Sequence, residues 1–240
     1  MEVGCADGAL LYYMERLGWQ GLGIEPNGAM AAIASAKGIA VLNAPLAEAR
    51  IEPASFDAVY LGDTLEHLPD APGMVRLLSE ALKPGGVLCV RVPNAECGYA
   101  SLSRIVSAIL RCQWFWSEAP YHVYEFTPRS LCRLFEREGL AVVTLRQVQG
   151  GSFAYAVGAS GYVDHVKHAM RGANGCLVSW ALMSPHLPRL AVISLVVFPL
   201  YFGGAVLDLL RRRGSGLLVV ARKRIERQET SEALCPGGRR

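Results

Sequence analysis

Several features that would assign this chain to a class of protein are missing from its 240 residues. The seven cysteines form no Cys-x-x-Cys pair and no cluster with histidine, which excludes the common zinc-site spacings. The net charge of +3 is too small to indicate nucleic-acid binding. The first residues contain no basic segment followed by an apolar one, as a secretory signal peptide would. The length suits one ordinary domain with an appendage.

Apolar residues are abundant. They make up 52% of the chain, only 19% of residues are charged, and the mean hydropathy is +0.26. This composition predicts a well-filled core and an additional, unusually apolar segment. Several cysteines fall inside predicted strands and helices, which indicates small buried side chains in a reducing compartment. We therefore expect a cytoplasmic protein.

The first eight residues indicate the end of a buried strand, a glycine turn and the start of a helix. Gly4 and Gly8 allow a close approach of backbone N–H groups to a ligand, and Asp7 can cap the helix. In a doubly wound sheet, a nucleotide-like cofactor binds at this turn. A central strand needs about five residues, and only three precede the turn, so we expect that part of the first strand has been lost.

Glu25 ends the next predicted strand, 21 residues after Gly4. An acidic residue at about this distance meets the ribose hydroxyls in dinucleotide-binding folds. A carboxylate suits that role because it accepts two hydrogen bonds from a vicinal diol. The alternative is an exposed glutamate at a strand end.

Short apolar strands alternate with amphipathic helices along most of the chain. This rhythm predicts an α/β fold with a doubly wound, mostly parallel sheet and an antiparallel last strand. The predicted strands are 1–3, 20–25, 39–43, 56–61, 87–94, 140–148 and 216–222. Four helices are predicted, and the first two are 8–17 and a helix from Pro26-Asn27 to Gly38. The third buries Met74, Leu77, Leu78 and Ala81 and is broken by Lys83-Pro84-Gly85-Gly86. The fourth is 128–138, which buries Leu131, Leu134 and Phe135.

Six segments occur in the order seen in one enzyme family. They are Glu2 to Gly8, Gly23-Ile24-Glu25-Pro26, Phe56-Asp57-Ala58-Val59, Leu65-Glu66-His67-Leu68, Leu82 to Gly86 and Val92-Pro93-Asn94. The chain resembles class I S-adenosylmethionine-dependent methyltransferases, in particular the ubiquinone-biosynthesis O-methyltransferase branch, over about 1–148 and 214–224. It departs at Ala6, where the family usually has glycine. Because alanine disfavours a positive φ, we expect a slightly different loop.

The resemblance implies a Rossmann-like domain over 1–150 and 214–224 that binds S-adenosyl-L-methionine. It assigns the methionine part of the cofactor to Glu2, Gly4, Cys5, Ala6 and Gly8, the ribose to Glu25 and Pro26, and another side of the cofactor to Leu61, Gly62 and Asp63. Asn43 is the nearest candidate for reading the adenine amino group.

His122 is the candidate catalytic base, since a histidine before the helix at 128 is usual in this branch. A hydroxyl acceptor must lose its proton, and an imidazole that titrates near neutral pH can take it. The alternative is a histidine that binds a loop carbonyl.

Asp63, Glu66 and His67 support a second hypothesis, because some members of the ubiquinone pathway bind a divalent metal through similarly spaced residues. Two carboxylates and an imidazole could hold Mg²⁺ and acidify a catechol hydroxyl. Glu-His also occurs in members without a metal, where it orders the loop.

Residues 98–124 interrupt the α/β rhythm with an apolar helical face followed by Trp114-Phe115-Trp116. One interpretation is a lid over a flat or apolar substrate, and the other is a crossover helix with a core-filling aromatic cluster.

A second insertion, 158–212, contains an uncharged run from Leu190 to Leu207, with Asp208 and Arg211-Arg212-Arg213 after it. The run is near the minimum for a membrane span, but the chain must return to its sheet at 216–222. We therefore expect either peripheral membrane contact through 187–213 or a helix pair packed on protein. Residues 225–240 resemble a disordered tail.

The sequence thus predicts a methyltransferase that acts on a small molecule at a hydroxyl oxygen. The acceptor is expected to be lipid-like, quinone-like or a sugar, with no nucleic-acid partner. Two alternatives remain at this point. One is a nicotinamide-dependent oxidoreductase, against which the missing third glycine of G-x-G-x-x-G counts. The other is an inactive cofactor-binding or truncated relative.

Overall fold

A computed structural model describes most of the chain. The described residues are 1–111, 114, 122–148, 195, 198–211 and 213–225. They fall into two compact units, named here the sheet unit (Met1–Val92, Pro128–Arg146 and Leu218–Arg240) and the helical unit (Pro93–Thr127 and Gln147–Leu217).

Seven described strands form one sheet in the order β3-β2-β1-β4-β5-β7-β6. Their bounds are β1 Glu2–Val3, β2 Gly23–Ile24, β3 Val41–Leu42, β4 Phe56–Gly62, β5 Leu82–Pro93, β6 Leu140–Val148 and β7 Gly216–Lys223. The pairs β1–β2, β1–β4, β2–β3 and β4–β5 are parallel, and the last strands are antiparallel. The predicted doubly wound α/β class is confirmed. The carboxyl ends of β1, β2, β3 and β4 all open on one edge of the sheet, because these strands are parallel.

Six described α-helices accompany the strands. Their bounds are α1 Ala9–Arg16, α2 Gly28–Ala36, α3 Ala71–Ala81, α4 Gly98–Leu110, α5 Pro128–Arg137 and α6 Phe198–Arg211. Asn27 caps α2 by accepting hydrogen bonds from the N–H groups of Ala29 and Met30. Asp70 caps α3 by accepting from Gly73. The predicted helix positions are confirmed to within a few residues.

Three predictions about local structure were wrong. β2 and β3 contain two residues each, shorter than the predicted strands 20–25 and 39–43. The buried face of α3 is carried by Ala71, Val75, Leu78, Ser79 and Ala81, while Met74 and Leu77 are half-buried.

The segment Lys83 to Gly86 does end α3, but it lies inside β5 rather than between a helix and a strand. Phe56 pairs with Leu82 and Ala58 pairs with Val87, so the extra residues of β5 form a bulge. Gly85 makes this bulge with a φ of 78°.

In the helical unit, α4 and α6 pack closely at two glycines. A methyl group added at Gly98 would collide with the carbonyl oxygen of Gly204, and one added at Gly204 would lie 2.5 Å from the nitrogen of Tyr99. The tyrosine rings of Tyr99 and Tyr201 lie 6.2 Å apart beside this contact. The absence of side chains at both glycines therefore sets the helix–helix distance.

A hydrogen bond to Asp208 also holds α4 and α6 together. Its carboxylate is buried and accepts from the N–H of Gly98, at the start of α4, over 2.6 Å. Burial raises the pKa of the Asp208 carboxyl, although the Gly98 hydrogen bond and the nearby arginines oppose this change. A carboxylate from α6 thus occupies the positive end of the α4 dipole.

Part of the sequence predictions lies outside the described residues. This applies to Phe115 and Trp116 of the predicted lid, most of the 158–212 insertion and nearly all of the 225–240 tail. No described helix has the length and apolar character that crossing a membrane requires. The four described cysteines, Cys5, Cys89, Cys97 and Cys132, are free thiols.

We expect Gly204→Ala to lower the free energy of unfolding by about 2 kcal/mol, because its methyl group meets the backbone of Tyr99. Gly203→Ala is the matched control on the same helix. Its methyl group meets only the end of the Leu102 side chain, at 3.1 Å, and should gain helix propensity. Urea unfolding of both variants checks this, and an equal loss for the two would contradict the close packing at Gly204.

Candidate functional site

The loop Gly4–Gly8 leaves β1 and turns sharply into α1. Gly4, Ala6 and Gly8 all have positive φ, at 71°, 46° and 72°. These left-handed conformations fold the loop back on itself, and the N–H of Gly8 donates to the carbonyl of Cys5 over 2.8 Å. Ala6 therefore has a positive φ that alanine disfavours, so the loop is strained at this residue.

Both glycines are also required for space. A methyl group on Gly4 would lie 2.6 Å from Oγ1 of Thr64, and one on Gly8 would lie 2.9 Å from Cβ of Ala34. Thr64 in turn donates to the carbonyls of Val3 and Gly62. Sequence reasoning did not single out Thr64, although it is a polar residue directly after β4, where side chains reach the same sheet edge.

Glu25 ties this loop to the start of α2. Its Oε2 accepts from the N–H of Ala6 over 2.9 Å, and its Oε1 accepts from the N–H of Asn27 over 2.8 Å. The side chain is buried. A carboxylate has about four acceptor positions, so two remain for a ligand. The alternative of an exposed glutamate at the strand end is therefore wrong.

Asn43 follows β3, and its side chain binds the backbone of Glu25. Its Nδ2 donates to the carbonyl oxygen of Glu25 over 2.8 Å. The amide oxygen Oδ1 of Asn43 is thereby left as an acceptor. It lies 3.5 Å from the position that a methyl group added to Gly28 would occupy. The structure thus brings Glu25, Asn43 and the loop together at one edge, as the sequence predicts. Pro26 is exposed beside them.

Glu2 lies in β1 beneath the loop. It is buried, and its Oε2 has no hydrogen-bond partner among the described residues. Burial raises the pKa of the Glu2 carboxyl to about 7, while the nearby terminal ammonium of Met1 acts in the opposite direction. A buried carboxylate without a partner is costly, and a cationic ligand group would relieve that cost.

Cys5 and Leu61 point away from this edge. Cys5 packs with Leu11, Ala34 and Ile39 in the core, where burial raises the pKa of its thiol to about 11. Leu61 is fully buried in β4. Among the cofactor residues predicted from the sequence, these two can contribute only backbone atoms.

Asp7 lies on the outer side of the loop. Its Oδ1 accepts from Ala9 over 3.3 Å, which supports the predicted cap, although Gly8 occupies the N-cap position. Lys37 of the neighbouring helix end donates to the backbone and side chain of Asp7 over 2.8 and 2.6 Å. The lysine keeps the pKa of Asp7 below its usual value.

Asp63 follows Gly62 at the end of β4 with a φ of 48°. Its carboxylate pairs with the Arg91 guanidinium, and its N–H donates to the Arg91 carbonyl over 2.9 Å. A cation at Asp63 would have to compete with this arginine. Glu66 is buried and His67 exposed. The proposed metal role of these residues stays a prediction.

His122 belongs to the helical unit and is half-buried. The segment after it is fixed by a stacked pair of rings, Tyr124 and Phe126, with centroids 5.8 Å apart. The carbonyl of Phe126 accepts from the N–H of Ala95 over 2.9 Å. The role of His122 as a base stays a prediction.

Comparisons with known proteins agree on one family. The sequence model of the methyltransferase domain family matches residues 1–145. Ubiquinone biosynthesis O-methyltransferase of Cupriavidus pinatubonensis is 28% identical over 157 residues, which cover 61% of this chain and 61% of that protein. The enzyme of that name from Albidiferax ferrireducens is 34% identical over 134 residues, 52% of this chain and 51% of that protein. The chain thus spans about half to six-tenths of the length of these relatives.

A solved structure shows the same fold. The S-adenosylmethionine-dependent methyltransferase from Archaeoglobus fulgidus superposes with a TM-score of 0.56 at 16% identity, over 92% of this chain and 84% of that chain.

We expect Ala6→Gly to raise the free energy of unfolding by about 0.5–1 kcal/mol, because glycine adopts a positive φ without strain. Ala32→Gly, at an exposed position in the interior of α2, is the control and should lower that free energy by a similar amount. Thermal and urea unfolding distinguish the two. A loss of stability in both variants would show that Ala6 carries no backbone strain.

We expect Glu2→Gln to become increasingly stabilising as the pH rises from about 4.5 to about 7. The pKa of Glu2 is higher in the folded than in the unfolded chain, so the folded state holds the proton more tightly and wild-type stability falls across this window. Glutamine removes that loss, on the order of 2 kcal/mol above pH 7. Unfolding measured at several pH values checks this, and a difference between variants that does not change with pH would contradict it.

Proposed function

We propose that this chain, which belongs to the methyltransferase domain family, transfers a methyl group to a hydroxyl oxygen of a small molecule. The family implies S-adenosylmethionine as the methyl donor. A hydroxyl acceptor is supported by the similarity to ubiquinone biosynthesis O-methyltransferases. The family match also favours this reaction over a nicotinamide-dependent oxidation on the same kind of sheet.

The observation that carries the proposal is the buried carboxylate of Glu2. Its Oε2 lacks a hydrogen-bond partner among the described residues and lies in the strand that leads into the glycine loop. The methionine part of S-adenosylmethionine has an ammonium group, which supplies both the charge and the donor hydrogens that this oxygen lacks. The residues present therefore fit the cofactor at this end.

Other residues at the same edge of the sheet would hold the ribose and the adenine of the cofactor. Glu25 keeps two acceptor positions for the ribose hydroxyls, since its other two are used by Ala6 and Asn27. Asn43 presents Oδ1 as an acceptor, which matches the amino group of adenine. Gly4 and Gly8 allow the tight, left-handed turn that exposes backbone groups of the loop to the cofactor.

When bound, S-adenosylmethionine supplies an electrophilic methyl group on a sulfonium. The chain contributes mainly alignment and exclusion of water, because an in-line displacement gains most from correct positioning of its reactants. Glu25 suits this task, since its hydrogen bonds on two sides leave its side chain little freedom.

His122 is proposed as the base that takes the proton of the acceptor hydroxyl. An imidazole that titrates near neutral pH can accept this proton at working pH and release it afterwards. The apolar segments of the helical unit support a lipid-like or quinone-like acceptor, and a sugar is the alternative. Mg²⁺ at Asp63, Glu66 and His67 remains a second route to an activated hydroxyl.

Calorimetry with S-adenosylhomocysteine and with NADH tests the proposed cofactor. We expect S-adenosylhomocysteine to bind and NADH not to bind, and Glu2→Gln to weaken binding about ten-fold or more through loss of a charged partner. Binding of NADH alone would favour the oxidoreductase, and binding of neither would favour a protein that has lost its cofactor. A tritiated-methyl transfer screen against lipid, quinone and sugar pools then identifies the acceptor.

In the same transfer assay, His122→Ala should lower kcat about a hundred-fold or more while leaving S-adenosylhomocysteine affinity unchanged. The reason is that a base acts on the acceptor proton and not on the cofactor. An unchanged kcat removes His122 from the mechanism, and chelation by EDTA then tests whether a metal ion activates the hydroxyl instead.

A further inference from the structure

Three neighbouring strands carry a row of polar side chains on one face of the sheet. Glu2 of β1 pairs with Tyr60 of β4, and Tyr60 pairs with Cys89 of β5. Paired residues of parallel strands place their side chains on the same face, and the next residue of each strand faces the other side. Gly62 and Arg91, which pair with each other two residues further on, therefore share the face of Glu2. All five residues belong to the sheet unit.

The opposite face of these strands belongs to the apolar core. Val3, Leu61 and Val90, which each follow a residue of the polar row, are at most 2% exposed. On the polar face, Tyr60 and Arg91 are only half-buried. Solvent therefore reaches the polar face close to the end of β4, next to the glycine loop.

The side chain of Tyr60 lies along the sheet toward its carboxyl edge. A methyl group on Gly62 would lie 2.7 Å from Oη of Tyr60 and 3.1 Å from its ring atoms Cε1 and Cζ. The ring therefore covers Gly62, two residues further along β4, and the hydroxyl reaches the end of that strand. Burial raises the pKa of the Tyr60 hydroxyl, and the nearby Arg91 opposes this change only in part. The hydroxyl thus keeps its proton at neutral pH and can donate it in a hydrogen bond.

Arg91 places a positive charge at the same end of β4. Its Nη1 donates to Oδ2 of Asp63, the residue that follows this strand. A guanidinium has donors on all of its nitrogens, so the pair with Asp63 leaves the other nitrogens for a second carboxylate. The ion pair also limits the freedom of the arginine side chain, which lowers the entropy cost of binding a ligand.

The polar face is complementary to an α-amino acid. Such a group has an ammonium and a carboxylate on one carbon atom, and the face has a carboxylate at Glu2 and a guanidinium at Arg91. Neighbouring strands are about 4.8 Å apart, so β1 and β5 are separated by two such spacings. The long side chains of Glu2 and Arg91 can span this gap with an α-amino acid between them.

We propose that Arg91 and Tyr60 bind the carboxylate of the methionine part of S-adenosylmethionine, while Glu2 binds its ammonium group. The planar fork of an arginine matches a carboxylate with two parallel hydrogen bonds, and the Tyr60 hydroxyl donates a further one. Asp63 is the positioning residue, since it holds the guanidinium from the side. This inference rests on the proposed function and adds two cofactor-binding residues that the family resemblance does not assign.

Calorimetry of the full chain with two ligands tests the assignment. S-adenosylhomocysteine has both charged groups, and its decarboxylated form keeps only the ammonium. We expect Arg91→Gln to weaken binding of S-adenosylhomocysteine about ten-fold or more and Tyr60→Phe to weaken it about five-fold. Neither variant should change the affinity for the decarboxylated form. Glu2→Gln should instead weaken binding of both ligands, because both have the ammonium group.

Two matched variants serve as controls. Lys83→Gln also removes a cation from β5 that pairs with a carboxylate near β4, here the exposed Asp57, but at the opposite end of the strand pair. Tyr13→Phe removes the hydroxyl of an exposed tyrosine in α1. Both should bind the two ligands as the wild type does, and circular dichroism checks that every variant is folded. If Arg91→Gln is not folded, Arg91→Lys takes its place and should weaken S-adenosylhomocysteine binding about three-fold, because lysine keeps the charge but not the fork.

Two outcomes overturn the assignment in a protein that binds S-adenosylhomocysteine. One is an unchanged affinity of Arg91→Gln for this ligand. The other is an equal loss of affinity for both ligands, which would show that Arg91 only supports the fold of the edge. Wild-type protein that binds neither ligand would instead contradict the proposed cofactor, and the assignment of Arg91 and Tyr60 with it.

Discussion

The cofactor edge depends on one carboxylate that receives two backbone hydrogen bonds. Glu25 accepts from Ala6 in the loop after β1 and from Asn27 at the start of α2. Because charged hydrogen bonds to backbone N–H groups are about twice as strong as neutral ones, Glu25 holds the left-handed conformation of Ala6 in place. The shape of the loop and the acceptor positions for a ligand therefore have a common origin.

Sequence reasoning located this edge but not its internal bonding. The order of strands and helices and the position of Glu25 follow from short-range patterns, since each depends on a few neighbouring residues. The burial of the Cys5 and Leu61 side chains does not follow in this way. The side of β4 that faces the core, and the direction of the Cys5 side chain in the loop after β1, depend on how the whole sheet packs. The Asp63–Arg91 pair likewise depends on the register of β4 against β5, which spacing along the chain does not reveal.

The packing of the helical unit likewise could not be predicted from the sequence. In the sequence, Asp208 reads as the charge that ends an apolar run. In the structure it is buried and caps α4, more than a hundred residues earlier in the chain. Only the packing of the two helices brings the carboxylate to Gly98. Glycines at 98 and 204 were equally uninformative in the sequence, because glycine has many uses and its partner here is distant.

The contacts that hold α6 determine where a chain of this kind can change in length. Two glycine contacts and one carboxylate fix α6 directly to α4, so the position of α6 is not set by the chain that connects the two helices. Closing a longer connection costs little, about 0.6 kcal/mol for each doubling of its length. The connection can therefore gain or lose residues while α6 keeps its register. The α4–α6 pair is thus a fixed frame that tolerates changes of length in the chain between β6 and α6, whereas the part that contains α5 and β6 belongs to the sheet.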